Sequence, residues 1–154
     1  MRCDLKEYVA LLLVIVVGAA CGGDRNPASP SSTPLPNPKL TAPAPETPGD
    51  GSQLDTLRPT LTVTNGTSDQ TGVRTYDFQI SDNENFSTSI GSFITSFVVL
   101  VEKQGVPEGT GTTSLTLEED LQPTTRFFWR VRMRQGSTVS EWSPTKTFKS
   151  RLMG

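Results

Sequence analysis

The amino-acid sequence predicts an all-β fold, an antiparallel β-sandwich preceded by a disordered proline-rich linker. Three observations carry that expectation. Apolar and polar residues alternate with period two across about residues 50–150, turn-forming pairs interrupt the alternation at short intervals, and no segment sustains a helical period. A period of two with one polar face implies antiparallel sheets that each cover one side of a shared core.

The elements follow in chain order. Leu61 and Val63 alternate with Thr60, Thr62 and Thr64, and Tyr76, Phe78 and Ile80 alternate with Thr75, Asp77, Gln79 and Ser81. Residues 93–101 are apolar on both alternating faces, so one face can line a core while the other needs a cover. That cover is either a long loop or insertion of the chain itself or a partner, which makes Phe97, Val99 and Val101 a candidate hydrophobic docking edge. Residues 104–112 read as a Gly-rich loop, and no Lys-Ser/Thr pair follows the glycines as a phosphate loop requires. Phe127, Trp129, Val131 and Met133 then alternate with Phe128, Arg130, Arg132 and Arg134, and Phe148 marks a last strand. Turn signals stand at Asn65-Gly66, Asp82-Asn83, Gly105-Val106-Pro107, Gln122-Pro123 and Gln135-Gly136.

Ahead of this domain the composition changes twice. Residues 9–20 are uncharged and mostly apolar, and as a helix they span only about 18 Å, short of a roughly 30 Å hydrocarbon layer. With Arg2 and Lys6 before the run and small residues closing it, residues 1–20 have the layout of a secretory signal. Residues 21–49 are rich in Pro, Ser, Thr and Ala without an apolar period, which predicts an extended, solvated polyproline-like tether. Residues 151–154 read as a short tail.

Val17-Gly18-Ala19-Ala20-Cys21 resembles the lipobox of bacterial lipoproteins, in which the signal is cut before a cysteine that then carries acyl chains. The resemblance implies lipidation at Cys21, and Gly22 after it implies export to the outer membrane, on a face left open. Two or more buried acyl chains hold a protein durably on a bilayer. The alternative is secretion, since Gly18 and Ala20 also fit the small-x-small rule of an ordinary cleavage site. The other cysteine, Cys3, lies in the segment to be removed, so the mature chain is expected to build its core without an intramolecular disulfide.

The segment from Leu121 through Phe127-Phe128-Trp129-Arg130-Val131-Arg132, followed by Ser140-Glu141-Trp142-Ser143-Pro144 and Phe148, resembles the second half of a bacterial fibronectin type III domain. There it corresponds to the E–F corner, strand F and the start of strand G, while Arg58 to Val63 and Tyr76 to Ser81 resemble strands B and C. The resemblance implies an immunoglobulin-like sandwich. Phe127 stands where the family usually has Tyr, so the hydroxyl that closes the tyrosine corner is missing, and a looser corner is expected. Val63 stands where a core Trp is common, leaving Trp129 to supply the bulk.

Chemistry is sparsely provided for. With no histidine the chain has no imidazole base or ligand and no Ser-His-Asp triad. A formal net charge of −2 gives no bulk attraction for nucleic acid. Glu118, Glu119 and Asp120 read as a solvated corner, Asp82 to Asn85 lacks the spacing of a known calcium loop, and Asn65-Gly66-Thr67 and Asn85-Phe86-Ser87 match a glycosylation sequon but read most simply as turns. No catalytic residue, metal or cofactor is expected. The candidate binding face is Arg126, Arg130, Arg132, Arg134 and Trp142: the arginines project from one side of a strand near Asp77 and Gln79, and either pair across strands and stack on Trp142 or meet an anionic or glycan ligand. The expected role is a non-catalytic binding or spacer module, lipid-anchored in the bacterial cell envelope, with an unidentified protein or polysaccharide partner. A carbohydrate-binding module using the Arg/Trp face is the alternative.

Overall fold

The computed structural model describes residues 36–86 and 100–154; Cys21, Phe97 and Val99 lie outside them. Nine strands and no helix occur among the described residues, and none of these contains a helix long and apolar enough to cross a membrane. One sheet holds β1 (Ala44–Thr47), β3 (Thr60–Thr64) and β6 (Thr112–Thr116) in the order β1-β3-β6. The other runs β2 (Ser52–Gln53), β9 (Lys146–Lys149), β7 (Arg126–Gln135), β4 (Arg74–Ser81), β5 (Leu100–Pro107), with β8 (Thr138–Val139) paired to β7. All pairs are antiparallel except β2 with β9.

The two sheets close on one core. Leu61 and Val63 of β3 meet Tyr76, Phe78 and Ile80 of β4, Phe127, Trp129, Val131 and Met133 of β7, and Phe148 of β9, all essentially without solvent contact. Each comes from an alternate position of its strand, because successive side chains on a pleated strand point to opposite faces. The remaining positions of β3 and β6 turn outward, where Thr60 meets Thr116 at 2.8 Å and Thr62 meets Ser114 at 2.9 Å.

Residues 36–49 depart from the expected tether. The Lys39 amide donates to Asp69 Oδ1 at 2.8 Å, Thr41 bonds Thr67, and β1 pairs with β3, so the sheet structure begins before residue 50. Pro43, Pro45 and Pro48 are buried. Proline is tolerated on an edge strand, where the missing N–H faces solvent, and Pro43 and Pro45 alternate with period two. A composition read as polyproline is here an edge strand that points its rings at the core.

Gly105-Val106-Pro107, expected as a turn, lies inside β5. Tyr76 pairs with Val106 and Phe78 with Lys103, so Gln104 and Gly105 together oppose Asp77. Gly105 has φ of 74°, the left-handed region that glycine enters without the clash of a Cβ, and it lets the bulged strand bend there. The expected loop 104–112 accordingly shrinks to the crossing between β5 and β6.

The corner before β7 is tied, contrary to the expectation of looseness. Ser150 is fully buried; its hydroxyl donates to the Gln122 carbonyl at 2.5 Å and accepts from the Thr125 amide at 3.0 Å. A serine on the neighbouring chain segment thus supplies the hydrogen bonds that Phe127 cannot. The tail is held as well, since the Thr124 amide donates to the Arg151 carbonyl at 2.8 Å.

Candidate functional site

The outward side of β7 carries the arginines. Phe127, Trp129, Val131, Met133 and Gln135 are buried inward, which leaves Arg126, Phe128, Arg130, Arg132 and Arg134 on the outer face. Register with β4 sets Arg130 opposite Gln79, Arg132 opposite Asp77 and Arg134 opposite Thr75. Across the other edge, Arg126 stands directly opposite Lys149.

Asp77 is the organising residue. It is fully buried although it faces outward, and its Oδ2 accepts from Arg132 Nε at 3.1 Å and Arg134 Nη2 at 2.8 Å. Its Oδ1 accepts from the Gly105 amide at 3.2 Å, a donor that the bulge turns toward it. Burial pushes the Asp77 carboxyl up, but the two guanidiniums and the amide outweigh it and hold the group below its ordinary value. Two cations share one carboxylate here.

Arg130 is held differently. Its Nε donates to Gln79 Oε1 at 2.9 Å, and its guanidinium carbon lies 4.1 Å from the Phe86 ring centre and 4.4 Å from that of Trp142. Arg132 also lies over Trp142, at 4.5 Å. Cation–π contact of this kind is worth about 0.5–2 kcal/mol, more as water is excluded. Burial, with the nearby Arg132 charge, depresses the Arg130 pKa.

Trp142 reaches this position because residues 140–145 run beside β7 without forming a regular strand. Ser140 and Ser143 are three apart, the repeat of a polyproline-type chain, and both face β7. The Met133 amide donates to Ser140 Oγ at 3.0 Å and the Val131 amide to Ser143 Oγ at 3.1 Å. In return, the Ser140 and Ser143 amides donate to the Met133 and Val131 carbonyls. With the serines turned to the strand, Trp142 turns over the arginines.

Sequence reasoning placed the arginines, Trp142, Asp77 and Gln79 together, and they are together except for Arg126, which stands exposed at the far end of the row. It missed Phe86. That residue is buried at φ of 51° in the turn after β4, and only the tertiary structure brings it over Arg130. Of the candidate docking edge, Val101 alone is described: it pairs with Ile80 and packs partly buried against the core. With Lys103, Leu115, Leu117 and Leu121 it lines a groove of about 390 Å³ between β5 and β6, rimmed by Glu118, Glu119 and Asp120. Those three carboxylates are exposed, and Asp120 pairs with Arg58 at 2.6 Å.

The remaining sequence candidates are absorbed locally. Asn83 Oδ1 accepts from the Asn85 amide at 2.9 Å, turning the chain after β4. The Asn65 side chain donates to the Gly109 carbonyl and accepts from Thr113 Oγ1, each at 2.7 Å, so both ends of its amide are engaged.

No family model and no curated protein matches the chain. Among solved structures it is similar to one titled "Myokine structure", with 13% identity over 71% of this chain and 95% of that one, at a TM-score of 0.39.

Proposed function

We propose that the chain is a lipid-anchored, non-catalytic lipoprotein of the bacterial cell envelope that displays a fibronectin type III-like binding or spacer module. One observation carries the module: the segments resembling strands C, F and G form β4, β7 and β9, adjacent in the order β9-β7-β4, while the segment resembling strand B forms β3 of the opposite sheet. A three-strand neighbourhood of C, F and G facing a sheet that contains A and B is the arrangement of immunoglobulin-like sandwiches. The non-catalytic role is supported by how the outer-face polar groups are used. The buried carboxylate of Asp77 is spent on three donors, and the histidine-free sequence supplies no imidazole base.

The anchor is tested by growing cells with labelled palmitate. The wild-type chain should take up label and sediment with membranes, and Cys21→Ala should do neither. Unlabelled wild-type protein, free in the culture fluid, overturns the anchor and favours the secreted alternative.

A further inference from the structure

We infer that the outer face of the six-stranded sheet is a binding surface for an acidic polysaccharide, a chain bearing repeated carboxylate or sulfate groups. The inference rests on the module being a displayed binding domain and names its ligand class. Its physical basis is a row of guanidiniums whose heads are already fixed. Arg130 and Arg132 each direct Nε along the sheet, to Gln79 and Asp77, and Arg134 commits one Nη to the same aspartate. Each guanidinium has five N–H donors, so among the described residues the forked Nη ends of Arg130 and Arg132 are left for an oxyanion. The stems are half-buried, and the stacking of Arg130 between Phe86 and Trp142 restricts its motion. Binding then costs little ordering entropy.

Like charge along the row points the same way. Arg126 directly faces Lys149 across the β7–β9 pair, a juxtaposition that destabilises a sheet unless an anion intervenes. Arg132 and Arg134 share a single carboxylate, and among the described residues Arg130 is hydrogen-bonded to the neutral Gln79. The carboxylate Glu102 accepts from Gln79 and Gln104 at the sheet margin, while Asp82 and Glu84 belong to the turn beyond β4 and the exposed Glu141 to the segment beside β7. From Arg126 to Arg134 the row extends about 26 Å at roughly 3.3 Å per residue, a length suited to a polymer rather than to one small anion.

The same contacts select among ligands. Guanidiniums already lie over the Trp142 ring, which disfavours stacking of a neutral sugar on it. Phe86 is buried, Phe128 and Trp142 are half-buried, and among the described residues of this face Val139, opposite Arg134, is the one exposed large apolar side chain, too little to hold a bilayer.

The test titrates the full chain, purified in detergent, with polygalacturonate at low and high salt, using neutral dextran for comparison. Polygalacturonate should bind, and its affinity should fall as salt rises; dextran should not bind. Arg130→Lys keeps the charge but loses the fork and should weaken binding at least fivefold. Arg126→Gln, at an exposed position with no structural partner among the described residues, should weaken it two- to threefold with an unchanged urea midpoint. If Arg130→Lys shifts the midpoint, Arg126→Gln decides. No binding of polygalacturonate, equal binding of dextran, or wild-type affinity in the deciding variant overturns the inference. Because this titration is independent of acylation, its failure leaves the palmitate result standing.

Discussion

Replacing Asp77 by Asn tests the arrangement that holds the arginine face. The substitution keeps shape and leaves Oδ1 free to accept from Gly105, but it puts an amide where Oδ2 takes Arg132 at 3.1 Å and Arg134 at 2.8 Å. Hydrogen bonds to charged groups are worth about 1.5–3 kcal/mol each, and removing one partner of a buried ion pair costs about 3–5 kcal/mol. Because the two arginine side chains are 23% and 33% exposed, they can turn partly to water, and we expect a loss of about 2–3 kcal/mol at pH 7. Urea unfolding followed by tryptophan fluorescence reads it, with Trp129 in the core and Trp142 beneath the arginines. The pH dependence adds a second readout. Although burial raises it, the folded pKa of Asp77 lies below its unfolded value, so this stabilisation is complete above about pH 4–5 and is lost as pH falls through the folded pKa. The gap between wild type and Asp77→Asn should therefore narrow toward pH 3. A loss under about 1 kcal/mol at pH 7, or a gap that stays constant down to pH 2, refutes the reasoning.

Two further changes probe neighbouring parts of the structure. Ser143→Ala removes the acceptor of the buried Val131 amide, and an unsatisfied buried donor should cost about 1–3 kcal/mol, read by urea midpoint, with Trp142 emission shifting to the red as the segment loosens. Gly66→Ala places a Cβ 2.3 Å from the Thr41 carbonyl oxygen, so the 36–47 segment must shift; a cost of about 1–3 kcal/mol is expected, with hydrogen exchange at residues 41–47 accelerating more than in β7.

How much was legible depended on whether an interaction is periodic along the chain. Strands β3, β4 and β7 were readable because alternate burial writes itself as alternate polarity, and the Arg row came with β7 at no further cost in information. Pro43 and Pro45 were hidden, since proline content argues for a tether until a partner strand turns those rings inward. Gly105 looked like a turn because a left-handed glycine serves bulges and turns alike, and the difference is the residue opposite, Asp77. Ser150 and Phe86 carry no local signal at all: one replaces a missing tyrosine hydroxyl from another segment, and the other caps Arg130 from across a strand end.

Sequence alone determined the all-β character, the antiparallel alternation and the presence of a cationic strand face, because each is a consequence of side-chain direction along one extended chain. Tertiary structure decided where the domain begins, which carboxylate two arginines share, and how Trp142 comes to lie over them. Those outcomes depend on register between strands and on hydroxyls that reach across them, and neither is encoded by the order of residues within a single strand.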